Sequence, residues 1–325
     1  MPRMLGYSVA VIIGLALLVW GADRVVLGVG IVARNHGISP MLIGLTIVGF
    51  ATSLPEIVVS ATAAAAGAPG LAIGNALGSN IANIGMVIAI AAIIRSLSIR
   101  SQTLRRELPV MLAVSIVPVL LFSDGYLSRL DGILLLTGLA AFVAWITLLG
   151  LRTRGQDPLE AEFAAEIPGG LGSGKAMAWI AVGLAAVLAG SDTLVWGAEN
   201  AARTLGISEL VIGLTVIAIG TSLPELAVSV ASARKGEHGL ALGNVIGSNA
   251  FNLLAVIGVA AVIHPADLNP DAVTVHLPVM LAFTVAFFFI AYNQTGTLRV
   301  SRAAGFMLLA AYIAYLGFLT SSSLR

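Results

Sequence analysis

The chain is expected to fold as an all-α polytopic membrane protein with ten transmembrane helices, arranged as two inverted five-helix repeats. Three observations lead there. Only 10% of the 325 residues are charged, against about a quarter in soluble domains. Hydrophobic residues make up 58%, and the mean hydropathy is +1.00. The apolar segments also recur in matched order along the chain, as set out below. So few charges cannot cover a water-facing surface, which excludes a soluble enzyme, a nucleic-acid binder and a disordered chain. With no cysteine, disulfides, Cys metal sites and thiol catalysis are excluded too.

Charged and turn-forming residues bound ten apolar segments, at about 4–34, 41–66, 71–94, 107–122, 127–150, 175–203, 209–233, 240–263, 273–292 and 300–320. A spanning helix needs about 20 apolar residues, and barrel strands would instead alternate polar with apolar. The first and sixth segments are long enough to require tilt or an interfacial end. No small-residue cleavage site follows the first, so it reads as a span rather than a signal peptide. Of the 17 Lys and Arg, only Arg3, Arg129, Arg203 and Arg325 fall on the side of the termini. The positive-inside bias then places both termini outside the inner (plasma) membrane.

The chain is written twice. Gly44-Leu45-Thr46 and Thr52-Ser53-Leu54-Pro55-Glu56 recur 169 residues later as Gly213-Leu214-Thr215 and Thr221-Ser222-Leu223-Pro224-Glu225. The same offset carries Gly74-Asn75, Gly78-Ser79-Asn80 and Asn83 onto Gly243-Asn244, Gly247-Ser248-Asn249 and Asn252. It also carries Asp23 onto Asp192 and Leu108-Pro109-Val110-Met111 onto Leu277-Pro278-Val279-Met280. Each unit holds five spans, and an odd number makes the second unit enter the membrane from the opposite side. The repeats are 1–150 and 175–325. A polar cytoplasmic linker, 151–174, carries Asp157, Glu160, Glu162 and Glu166 and reads as solvated.

Glu56 and Glu225 lie inside apolar spans, where an ionised group costs about 2.5–3.5 kcal/mol or more. Each follows a proline, which removes an N–H and opens the helix beside Ala51 or Gly220. Thr52 and Ser53 precede Glu56 by four and three residues and share its helix face, as Thr221 and Ser222 do for Glu225. Asn75, Ser79 and Asn83 form a stripe on the next span, matched by Asn244, Ser248 and Asn252. From a bend near residue 68, Glu56 and Asn80 are each about 18 Å along their helices, hence level. Glu225 and Asn249 are level by the same measure. The pairs Gly74/Gly78 and Gly243/Gly247 offer small faces for close helix approach. All these donors are hard oxygens, suited to Na⁺, Ca²⁺ or Mg²⁺. Two Glu make a −2 site that one divalent or two monovalent ions neutralise, which is the basis of antiport.

The duplicated Thr-Ser-Leu-Pro-Glu, each followed by Gly-Asn-x-x-Gly-Ser-Asn-x-x-Asn, resembles the two alpha repeats of the cation/calcium antiporter superfamily, in particular the prokaryotic sodium/calcium exchanger family. The resemblance covers the whole chain. It implies exchange of Na⁺ for Ca²⁺ by alternating access, with no cofactor and no enzymatic activity. The ligands it implies are Thr52, Ser53, Glu56, Ser79 and Asn83 with Thr221, Ser222, Glu225, Ser248 and Asn252. Backbone carbonyls near Gly49 and Ala218 are implied as well. The first and sixth spans are implied to slide against the core. Exchangers that this chain resembles carry an Asp where it has Asn252, so the number and identity of the counter-ions stay open. H⁺ in place of Na⁺ is the alternative reading, and a cation channel is the alternative from another class. The partners expected are the lipid bilayer and the transported ions, with no nucleic acid; the oligomeric state stays open, a monomer being compatible with the reading.

Several features are set aside. Gly169-x-x-x-x-Gly174-Lys175 mimics a phosphate loop, but Ala176 follows it and no strand precedes it. His36, His238, His264 and His276 lie at span ends and are expected to be solvated or interfacial. Asp23 and Asp192 read as structural partners of nearby polar groups or of Arg24.

Overall fold

In a bilayer an apolar segment satisfies its own backbone only as a helix or a closed barrel. The computed structural model, which describes residues 2–38, 42–43, 49–153, 157–166, 172–292 and 296–323, is helical nearly throughout. The first half runs through α1 (Pro2–Asn35), α2 (Gly49–Thr52), α3 (Leu54–Ala65), α4 (Pro69–Ile94), α5 (Gln102–Leu121) and α6 (Arg129–Thr153). A short helix, α7 (Leu159–Glu166), leads to α8 (Ser173–Leu205). The rest comprises α9 (Glu209–Thr221), α10 (Leu223–Lys235), α11 (His238–Ile263), α12 (Ala272–Ala291) and α13 (Arg302–Ser323).

Among the described residues, eight helices are long and apolar enough to cross a membrane, and the bent pair α9–α10 makes a ninth if counted as one span. The chain is thus a multi-pass membrane protein. Part of the expected span 41–66, with Gly44, Leu45 and Thr46 of the repeated motif, lies outside the described residues. So do the surroundings of Gly49. The Thr-Ser-Leu-Pro-Glu segments are broken, not merely loosened. The helix ends at Thr52 and restarts at Leu54, with Ser53 at φ −83°, ψ 3°. Ser222 repeats this at φ −82°, ψ 3°, and the axes bend by 42° there. Pro55 and Pro224 therefore sit in a first turn, where a missing N–H is free of cost.

The centre of the bundle is α4 with α11. They are 78% and 83% buried over their apolar stretches, against 22% for α1. α4 crosses α9 at backbone contact: a Cβ on Gly74 would lie 2.5 Å from the Leu210 carbonyl oxygen. The second small-residue pair differs from expectation. Gly243 meets only the Leu104 side chain, at 3.2 Å, and Gly247 has nothing within 4 Å among the described residues. The counterparts of its facing residues, 44 and 45, are not described. α1 packs along α8 in the opposite direction. Gly21 faces Gly183, where a Cβ on either would come within 2.7 Å of the other's carbonyl oxygen, while Gly14 faces Gly190.

Two short ladders close the ends. β1 (Leu97–Ile99) pairs antiparallel with β4 (Leu298–Val300), and β2 (Tyr126–Leu127) with β3 (Ala266–Asp267). Each joins a loop of the first half to one of the second, and α5 separates β1 from β2. The loops carrying Arg95, Arg100, Arg299 and Arg302 thus meet at one end. At the other, Arg129 Nε donates to the Val262 carbonyl at 3.1 Å.

Two sequence expectations are corrected. Within the linker, residues 157–166 are docked, not solvated. Leu159 and Phe163 are buried, and Asp157 is only 7% exposed. Asp157 Oδ2 accepts from Ser101 Oγ at 2.9 Å and from Thr103 N–H at 3.0 Å, at the start of α5. Glu162 Oε2 accepts Leu240 N–H at 2.7 Å, at the start of α11. Helix N-termini have unmet N–H groups and a positive dipole end, so carboxylates dock there. His276 is also not solvated: it is 4% exposed, and its Nδ1 is 2.9 Å from Tyr315 Oη. Apolar flanks that look interfacial in sequence are covered here by α13.

Burial raises the Glu162 carboxyl above its usual range, against the opposing Leu240 and Gly239 N–H groups. The docked linker therefore holds a proton more tightly than a released one. The part of docking contributed by Glu162 is fully present below about pH 4, the ordinary Glu range, and is lost as pH rises through the raised value. Hydrogen-exchange protection of residues 157–166 should fall over that interval. Glu162→Gln, which keeps an acceptor without the charge, should flatten the dependence.

Candidate cation-binding site

Each half lays two helices side by side around a left-handed glycine, Gly67 at φ 78° and Gly236 at φ 90°. α3 then runs beside α4, and α10 beside α11, so the Thr-Ser-Leu-Pro-Glu segment of each half lies against its asparagine stripe. The two stripes meet at the centre of the bundle.

Thr52, Ser53, Glu56, Ser79 and Asn83 are at most 1% exposed, and so are Thr221, Ser222, Glu225, Ser248 and Asn252. The hydroxyls cross between halves: Thr52 lies beside Glu225 and Thr221 beside Glu56. Ser79 Oγ is 3.4 Å from Thr221 Oγ1, while Ser248 Oγ donates to Glu225 Oε1 at 3.2 Å. Buried polar atoms normally find partners. Among the described residues, Ser53 Oγ, both carboxylate oxygens of Glu56, Asn83 Oδ1, Ser222 Oγ, Glu225 Oε2 and Asn252 Oδ1 have no hydrogen-bond partner. Each is an oxygen with lone pairs to offer; Glu107 Oε1 and Tyr312 Oη are also unpartnered among the described residues but lie outside the residues named above.

The remaining motif asparagines brace this constellation. Asn75 Nδ2 donates to the Glu56 carbonyl at 3.2 Å and to Ser60 Oγ at 2.9 Å. Its Oδ1 accepts from Thr221 Oγ1 at 3.0 Å. Asn244 repeats the pattern on the Glu225 carbonyl and Ser229 Oγ, both at 3.2 Å, and accepts from Thr52 Oγ1 at 3.4 Å. Ser60 and Ser229 were not singled out from sequence, although the same 169-residue offset relates them. Asn83 and Asn252 each open a π-helical turn, Asn83–Ile88 and Asn252–Val256. Such turns recur at functional sites.

Other expected residues stand differently. The Ala218 carbonyl accepts Ser222 N–H at 3.1 Å and Thr221 Oγ1 at 3.5 Å, so it already has two donors. Asp23 is exposed and pairs with Arg24 at 3.6 Å. Asp192 is exposed as well. Neither enters the buried constellation. Asp23 lines an apolar cavity of about 690 Å³ between α1 and α10 that reaches Thr52 and Pro224.

Membrane-crossing helices around a buried, acidic oxygen cluster define a class, the membrane cation transporters. Within that class the chain belongs to the sodium/calcium exchanger protein family, whose model matches residues 7–148 and 175–321. It is a cation/calcium antiporter. CaxA of Alkalimonas amylolytica, proposed to be an antiporter, is 45% identical over 98% of this chain and 100% of its own length. Sodium/calcium exchanger MaX1 of Methanosarcina acetivorans is 30% identical over 94% of this chain and 96% of its own. Among solved structures, the sodium-calcium exchanger NCX_Mj soaked with Na⁺ and Sr²⁺ matches with a TM-score of 0.67 and 34% identity, over 97% of this chain and 99% of that one.

Proposed function

We propose that the protein exchanges Na⁺ for Ca²⁺ across the inner membrane by alternating access, exporting Ca²⁺. The observation that carries this is the set of unpartnered oxygens, drawn from both halves and holding two carboxylates. Unpaired buried carboxylates are costly unless a cation neutralises them. Thr52, Ser53, Glu56, Ser79 and Asn83, with Thr221, Ser222, Glu225, Ser248 and Asn252, are the ligands in this reading. An occupied, neutral cage occludes cheaply and an empty one does not, which couples the two ion movements.

The architecture proposed is ten spans in two inverted repeats, 1–150 and 175–325, with both termini outside. The antiparallel course of α1 on α8 and the two cross-half ladders support the inversion. The meeting of the arginine-bearing loops at one end supports the sidedness. No single-half site would account for hydroxyls lying beside the opposite carboxylate.

Flux into proteoliposomes with the counter-ion swapped tests the function. An outward Na⁺ gradient should drive ⁴⁵Ca²⁺ uptake, and a pH gradient without Na⁺ should not. Uptake driven by the pH gradient alone would make H⁺ the counter-ion. Conductance without any counter-gradient would make the protein a channel.

A further inference from the structure

An asparagine amide has an oxygen end and an N–H₂ end, and only the first can hold a cation. In a cage with two carboxylates, a free Asn would turn its N–H₂ toward a carboxylate and satisfy it without any ion. Yet among the described residues Asn83 and Asn252 both leave Oδ1 unpartnered. The reason lies in two residues outside the ligand set. Asn249 Nδ2 donates to the Asn80 backbone carbonyl at 3.4 Å. A carbonyl only accepts, so this bond fixes which way the Asn249 amide points. Its Oδ1 then accepts Asn83 Nδ2 at 3.0 Å, across the two halves. In return, Asn80 Oδ1 accepts Asn252 Nδ2 at 3.5 Å, while Asn80 Nδ2 rests on Met280 Sδ at 3.9 Å.

We propose that Asn249 and Asn80 are positioning residues that set the polarity of the cage, each holding the N–H₂ of the other half's asparagine so that Asn83 and Asn252 present only oxygen inward. The proposal rests on the reading of Asn83 and Asn252 as cation ligands. It also makes Asn249 the stronger of the two, because a backbone carbonyl is a firmer anchor than a thioether.

The test is a double-mutant cycle on Ca²⁺ binding to the purified full chain, measured by isothermal titration. Asn249→Ala should weaken Ca²⁺ binding by about 10- to 100-fold, as loss of an outer-shell partner does. In an Asn83→Asp background orientation no longer matters, since both ends of the side chain are oxygen. There the same Asn249→Ala change should cost less than about twofold, a coupling only the cycle can expose. Asn80→Ala with Asn252→Asp reads the same relation on the other side. Equal losses in both backgrounds, or failure to fold in both, would make Asn249 a packing residue and overturn the proposal. So would unchanged binding in Asn249→Ala when wild type binds Ca²⁺. Absence of Ca²⁺ binding by wild type would instead remove the ligand reading itself, and the proposal with it.

Discussion

Replacing Glu56 or Glu225 with glutamine should abolish Na⁺-driven ⁴⁵Ca²⁺ uptake. Both carboxylates are fully buried, and among the described residues no Lys or Arg is buried. Glutamine keeps the volume and an oxygen but removes a charge, so a bound Ca²⁺ would retain an uncompensated positive charge inside the bundle. Breaking a buried charge pair in this way costs about 3–5 kcal/mol, or about 10²- to 4 × 10³-fold in affinity. The two substitutions should not be equal. Glu225 accepts from Ser248 Oγ at 3.2 Å, whereas among the described residues no serine of the stripe donates to Glu56. Glu56→Gln should therefore be the more damaging at low Ca²⁺. Uptake at the wild-type rate in either variant would refute the site.

Exchange should also be insensitive to membrane potential. The cage holds two carboxylates, with asparagine at both 83 and 252. One Ca²⁺ or two monovalent ions bring it to zero, so both loaded forms cross without net charge. Clamping the liposomes with K⁺ and valinomycin should leave the final Ca²⁺ distribution unchanged. Asn252→Asp adds a third negative charge and calls for a third monovalent ion. One net charge would then move per cycle, worth about 2.3 kcal/mol per 100 mV, or about 50-fold in the Ca²⁺ gradient. An inside-negative potential should then favour Na⁺ entry and Ca²⁺ exit. Potential-dependent exchange by the unmodified protein would count against the two-charge cage.

Much of this molecule was legible before its fold was known. Helices are local, and an apolar run bounded by Arg95 or Gly67 marks its own ends, so the observed helices fall within a few residues of the apolar segments. The exception is the second span, part of which is not described. The candidate site was legible because it is duplicated. Two copies of Thr-Ser-Leu-Pro-Glu with their asparagine stripes mark residues under a shared chemical demand, and the structure places them together. The docking of the linker was not legible. Asp157 and Glu162 look like any solvated acids until the N–H groups of Thr103 and Leu240 are placed against them. Nor was the burial of His276, which depends on Tyr315, 39 residues away.

The amino-acid sequence alone determined that the chain is a duplicated membrane protein with a carboxylate in each half, because hydropathy and repetition are properties of residue order. Only the tertiary structure decided which oxygens are left without partners. That depends on where each amide and hydroxyl is pinned, and the pins come from the other half, as with Asn249 on Asn83 and Asn75 on Thr221.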